Sequence, residues 1–135
     1  MPTASPERPI AEGGGAFQRQ WFKIVQTAPP CERYCRCWDF AGTEKGKGSS
    51  DPDWTVGLLM GWRPPGEYYI CDVRRARLSP AGVEALLLQT AQVDGPNVMI
   101  RMEQEPGSSG KAICEHYIRL LAGLSARAEP SSGAK

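Results

Sequence analysis

Two carboxylates have the best claim to chemistry. Asp39 is the single acid within a largely aromatic and apolar run, Arg33 to Ala41, and Glu103 lies near the carboxyl end of a second run, Asn97 to Glu105. If these runs are adjacent strands pointing the same way, both acids stand at carboxyl ends about 4.8 Å apart. Ligands of open α/β sheets collect at those ends. Two like charges side by side are costly unless a cation bridges them, and carboxylates are suitable hard ligands for Mg²⁺ or Mn²⁺. The plainer reading makes Asp39 a cap on the following loop and Glu103 a solvated strand-end charge.

Polar residues gather in sequence around the same end. Lys45 and Lys47 lie in a Gly- and Ser-rich loop, Asp53 precedes the next apolar run, and Arg74, Arg75 and Arg77 follow a third. A Lys/Arg rim around an acidic centre suits a phosphodiester backbone. Taken singly, each of these is an ordinary surface charge. Only their clustering points to nucleic acid.

Other motifs carry less. Residues 105–111 (EPGSSGK) fail the P-loop pattern, because Glu105 and Ala112 stand where Gly and Ser/Thr are required. Cys31, Cys35 and Cys37 are spaced for a strand rather than a zinc turn, and no second pair follows. Cys35, Cys37 and Cys71 read as small buried hydrophobes. Cys114 and His116, two apart on a helix, face away from each other.

The elements that must position the acids follow from pattern. Residues 33–41, 54–62 and 67–76 read as three strands with short connections, hence an antiparallel meander. The first is apolar enough to suggest a strand covered on both faces. Ser79-Pro80 opens a helix with a Ser cap and Pro at the first position, and Gly95-Pro96 closes it. Residues 97–105 form a fourth strand, and residues 106–110 turn into a second helix carrying Ile113, Tyr117, Leu120, Leu121 and Leu124 on one face. A helical crossover returns the fourth strand parallel to one already laid down. Placed beside the first, it brings Glu103 to Asp39. The expected class is α/β with a mixed sheet.

Composition sets the outer bounds. A chain of 135 residues, 41% hydrophobic and 23% charged, fits one globular domain. A net charge of +1 disfavours a protein that coats DNA by bulk electrostatics. No run approaches the roughly 20 apolar residues of a membrane span, so no membrane partner is expected. Five cysteines cannot all pair within one chain, which fits reduced thiols in a cytoplasm. Residues 1–15 read as a disordered linker and residues 125–135 as a flexible tail. Phe17, Trp21 and Phe22 read as a segment that docks on something.

Six stretches in order resemble the C-terminal nuclease domain of phage terminase large subunits. They are residues 17–25 (FQRQWFKIV), 36–41 (RCWDFA), 51–57 (DPDWTVG), 67–73 (EYYICDV), 78–83 (LSPAGV) and 101–111 (RMEQEPGSSGK). The resemblance spans most of residues 16–124 and implies a ribonuclease-H-like fold, incomplete at the C-terminus. It implies a Mg²⁺- or Mn²⁺-dependent endonuclease that cuts concatemeric viral DNA during packaging, in the cytoplasm of a bacterial host. Terminase small subunit and portal are the implied protein partners. Asp39 and Glu103 fall on the metal-binding positions, with Glu105 as rival for the second and Asp53 as an assisting acid. The family's mechanism is two-metal hydrolysis. No Walker pattern of its ATPase motor is present. The family's third acid lies on a helix after a fifth strand, and residues 126–135 resemble the connection leading there. Two acids of three imply impaired cleavage.

Overall fold

The computed structural model describes residues 16–41 and 53–131. Lys45 and Lys47 lie outside the described residues. Five strands and two helices follow one another: β1 (Arg33–Asp39), β2 (Thr55–Arg63), β3 (Glu67–Ala76), α1 (Pro80–Asp94), β4 (Met99–Gln104), α2 (Ser108–Leu120) and β5 (Ala126–Pro130). They form one mixed sheet in the order β3-β2-β1-β4-β5. β2 is antiparallel to β1 and β3, whereas β4 is parallel to β1 and β5 to β4. Four strands therefore share a direction and β2 alone is reversed. The meander and the parallel return of β4 are both as the sequence suggests.

Two expectations need correction. The stretch after Ser125 is not all tail, because Ala126–Pro130 is a fifth strand in parallel register with β4. Its period-2 pattern is easily missed: the half-buried residues are Ala126 and Ala128, too small to read as hydrophobic, between exposed Arg127 and Glu129. Nor is β1 covered on both faces among the described residues. Arg36, Trp38 and Phe40 are buried while Cys37 and Asp39 are exposed. Both helices lie on the face of Arg36, Trp38 and Phe40, and they leave the face of Cys35, Cys37 and Asp39 open.

The covered face holds the core. Trp38 and Phe40 stack with ring centroids 5.7 Å apart, and Phe40 meets Tyr117 of α2 at 4.6 Å. Val83, Leu87 and Ala91 of α1, Ile100 and Met102 of β4, Cys114 of α2 and Leu121 complete the cluster. Each such side chain, fully buried, contributes about 1.5–3 kcal/mol. Gly57 lets Trp38 lie flat on β2, since a Cβ there would stand 2.6 Å from the indole ring. Ser79 caps α1 by accepting from the Gly82 amide, and the Gly95 amide closes the helix on the Ala91 carbonyl. No helix among the described residues is long and apolar enough to cross a membrane. The segment before β1 stays outside the core: its one short helix, Arg19–Trp21, buries nothing, and Phe17 is 75% exposed.

A buried cation joins four elements beneath the sheet. Arg36, 2% exposed, donates to both carboxylate oxygens of Asp94 at 2.8 Å. One Nη also donates to Asp72 of β3 at 2.8 Å and to the Gly57 carbonyl of β2 at 3.0 Å. Burial works against the guanidinium charge, and its bonds to Asp94 and Asp72 more than offset this. The Arg36 hydrogen bond holds the Asp72 carboxyl below its usual range, and the Arg36 and Arg74 charges add to this against partial burial. Removing one member of a buried pair strands the other's charge, at about 3–5 kcal/mol. Arg36→Met should therefore lower stability by about that amount in urea unfolding, and adding Asp94→Asn should restore part of it. A carboxyl depressed in the folded state contributes stability that is complete above its unfolded value and fades as pH falls through the folded one. The destabilisation by Asp72→Asn should accordingly be larger at pH 6 than at pH 3.

Candidate functional site

Asp39 and Glu103 stand at the same edge of the sheet, near the carboxyl ends of β1 and β4. β1 and β4 pair in parallel from Cys35 opposite Met99 to Trp38 opposite Met102. One further step of that register sets Asp39, the last residue of β1, beside Glu103. Both are exposed, and both belong to the face the helices leave open. Beyond Asp39, the Ala41 amide donates to the Thr55 hydroxyl at 3.1 Å. Thr55 is 1% exposed, so the chain leaving the acid is pinned to the start of β2.

Glu103 is held from the other side. Its carbonyl accepts a weak hydrogen bond from the Cys114 thiol of α2 at 3.7 Å. Glu105, the rival acid, lies beyond the end of β4, one residue past the last strand position. The register therefore favours Glu103 as the partner of Asp39. Glu103 and Glu105 both line a small cleft of about 20 Å³ with Phe40, Ser109 and Gly110. That is room for about one water molecule. Gly110 makes the turn into α2 possible, because a Cβ there would stand 2.2 Å from the Glu105 carbonyl oxygen.

A third acid on the same face escaped the sequence reading. Glu129 of β5 is in register with Glu103, and continuing the β1–β4 register one step adds Asp39 to the same row. Glu129 is turned to Arg101, with a nitrogen–oxygen distance of 3.8 Å. Among the described residues no three His, Cys, Asp or Glu side chains converge as a metal-binding group. Asp53, two residues before β2, is exposed at the same end of the sheet and joins no such group.

The basic residues divide between the faces. Arg75 is opposite Val56, which is itself opposite Asp39, so Arg75 shares the open face with the acids. Its guanidinium lies 4.2 Å from the Trp54 ring centre, and Arg77 approaches the same ring at 4.6 Å. Arg74 points the other way. It donates to Asp72 at 3.4 Å and to Thr90 of α1 at 3.3 Å, beneath the sheet. Strand alternation separates adjacent arginines in this manner. Among the described residues, the expected basic rim consists of Arg75, Arg77 and the aromatic ring between them, and Arg74 belongs to the packing under β3.

The cysteines also depart from expectation. Cys37 is exposed and Cys35 only half-buried on the open face, with their sulfurs 3.6 Å apart. The hydrogen bond from Cys35 brings the Cys37 thiol down to about 7, against partial burial and helped by the Arg101 charge. The same contact raises Cys35. Cys114 is the buried one.

No family model, curated protein or solved structure matches the chain. Two carboxylates in register repel, by roughly 0.2–1 kcal/mol in a cross-strand pair. Without divalent cations, Asp39→Asn or Glu103→Gln should leave the protein as stable as the parent or more stable by under about 1 kcal/mol. Urea unfolding in EDTA measures this. Gly110→Ala, which drives a methyl group into the Glu105 carbonyl, should lower stability in the same assay by about 1–3 kcal/mol.

Proposed function

We propose that the chain is a metal-dependent DNA endonuclease module with a ribonuclease-H-like sheet, of the kind found in phage terminase large subunits. The single observation that carries the reading is the parallel register of β1 and β4, whose next step beyond Trp38 opposite Met102 would bring Asp39 level with Glu103. A five-stranded order with only the second strand reversed supports it. In this reading the substrate is concatemeric viral duplex DNA in the cytoplasm of a bacterial host. Terminase small subunit and portal are the protein partners.

Two exposed carboxylates suit a hard divalent cation as a minimal pair. Asp39 and Glu103 would hold Mg²⁺ or Mn²⁺, with Asp53 able to approach from the start of β2. Such an ion supplies an acidified water and stabilises charge at the reacting phosphate. The chain's own part is to bind and orient the duplex. Arg75 offers a guanidinium to backbone phosphate on the same face as the acids, and the Trp54 ring beside it offers a surface for a base or sugar. Among the described residues no third acid joins the pair, so in this reading weak cation binding and slow turnover are expected.

A second reading is favoured by that same shortage of acids: a module that grips DNA without cutting it. The experiment that separates the two is incubation of the full chain with supercoiled plasmid and Mn²⁺. Slow nicking is expected, abolished by Asp39→Asn and by Glu103→Gln, together with a Mn²⁺-dependent rise in melting temperature that both substitutions remove. Salt-sensitive duplex binding that survives both substitutions, without nicking, would replace the nuclease by the gripping module. Arg75→Ala should then weaken binding across sequences and reduce the salt slope by about 1. Binding of neither Mn²⁺ nor DNA would sink both.

A further inference from the structure

The open face of the sheet carries a second set of potential ligands, of opposite chemical character. Cys35 is opposite Met60 on β2 and opposite Met99 on β4, so three sulfur side chains form one row across three strands. Cys37, two residues along β1, faces the same way, with its sulfur 3.6 Å from that of Cys35. All four line one open cleft of about 320 Å³, walled by Trp62 and Tyr68. An Arg101 Nη donates to the Met99 sulfur at 3.7 Å, fixing that thioether and bringing a positive charge to the rim.

We propose that Cys35, Cys37, Met60 and Met99 form a binding site for one soft monovalent metal ion, Cu(I). Ligands of a tetrahedral ion with metal–sulfur bonds of about 2.3 Å are about 3.7 Å apart, close to the separation of the two thiols. Softness decides the metal. Thiolate and thioether donors together select Cu(I), while zinc sites use thiolate, imidazole or carboxylate and iron–sulfur clusters take cysteine thiolates. Binding replaces the sulfur–hydrogen bonds of the two cysteines with copper–sulfur bonds and releases the protons to solvent. The resulting two-thiolate complex carries one net negative charge, which the Arg101 guanidinium balances. The four side chains come from three neighbouring strands and line one cleft, and the two thiols already stand at ligand spacing, so binding needs the methionine side chains to turn inward and no change in the sheet. This site is independent of the carboxylate pair, whose oxygen donors have little affinity for Cu(I).

The test is anaerobic titration of the full chain with Cu(I), supplied as its acetonitrile complex and competed with bathocuproine disulfonate. One tightly held ion per chain is expected, with X-ray absorption showing a sulfur-only shell. Cys35→Ser with Cys37→Ser should abolish the tight site. Met60→Leu and Met99→Leu, which keep the apolar volume, should each weaken it by on the order of 10–100-fold. Cys71→Ser should change nothing, and excess Mn²⁺ should not compete. Tight binding that survives loss of both cysteines would overturn the proposal by assigning the ion to other thiols. Binding indifferent to both methionine substitutions would also overturn it, by reducing the site to a bare dithiol.

Discussion

Arg36 is the group on which the rest of the sheet depends. Its guanidinium is buried beneath β1 yet bonded to β2 through Gly57, to β3 through Asp72 and to the last turn of α1 through Asp94. An isolated charge in that position would be prohibitively unfavourable, so its partners must all arrive together. Asp94 gains as well. A carboxylate at a helix C-terminus meets the negative end of the helix dipole, and the guanidinium offsets both that field and the burial of the acid. None of the buried polar side-chain atoms among the described residues lacks a partner, so the network is closed.

That closure fixes which way β1 faces. A slip of one residue in pairing would turn Arg36 out and bring Cys35, Cys37 and Asp39 in. Such a slip would put a carboxylate into the Trp38–Phe40 core and strand Asp72 and Asp94. The hydrophobic contacts alone choose a face for Trp38 and Phe40. The arginine network adds specificity, because a one-residue slip would break all four of its bonds. Both candidate sites on the open face are therefore consequences of what is held beneath it.

Much of this was legible in the sequence, for identifiable reasons. Short Pro/Gly connections signal a meander, a capped helix signals a crossover, and a parallel return beside β1 brings Asp39 to Glu103. Less visible was any feature whose signal runs against residue type. Arg36 reads as a surface charge because arginine is rarely buried, and only its acids, 36 and 58 residues further on, make burial tolerable. β5 was hidden because alanine fills its inward positions, so neither the strand nor Glu129 in the acid row was anticipated. Arg74 and Arg75 look alike in sequence, and only the pleat sends one under the sheet and leaves the other beside Trp54. The one-sided covering of β1 was obscured by cysteine, which is apolar enough to pass for core.

The open face arranges donors along β1 by chemical hardness. Moving from the middle of the strand to its end, the open-face positions change from thiol at Cys35 and Cys37 to carboxylate at Asp39. The neighbouring strand changes in step, from thioether at Met99 to carboxylate at Glu103. The parallel register makes that coincidence possible, since each step along one strand is matched by a step in the same direction along the other. Between the two sets stands Arg101, opposite Cys37, which reaches both the Met99 sulfur and Glu129. Its charge lies between the sulfur cleft and the acid row and is shared by both. A change at Arg101 should therefore be felt on both sides of it, whereas a change at Met60 or Asp39 should stay local.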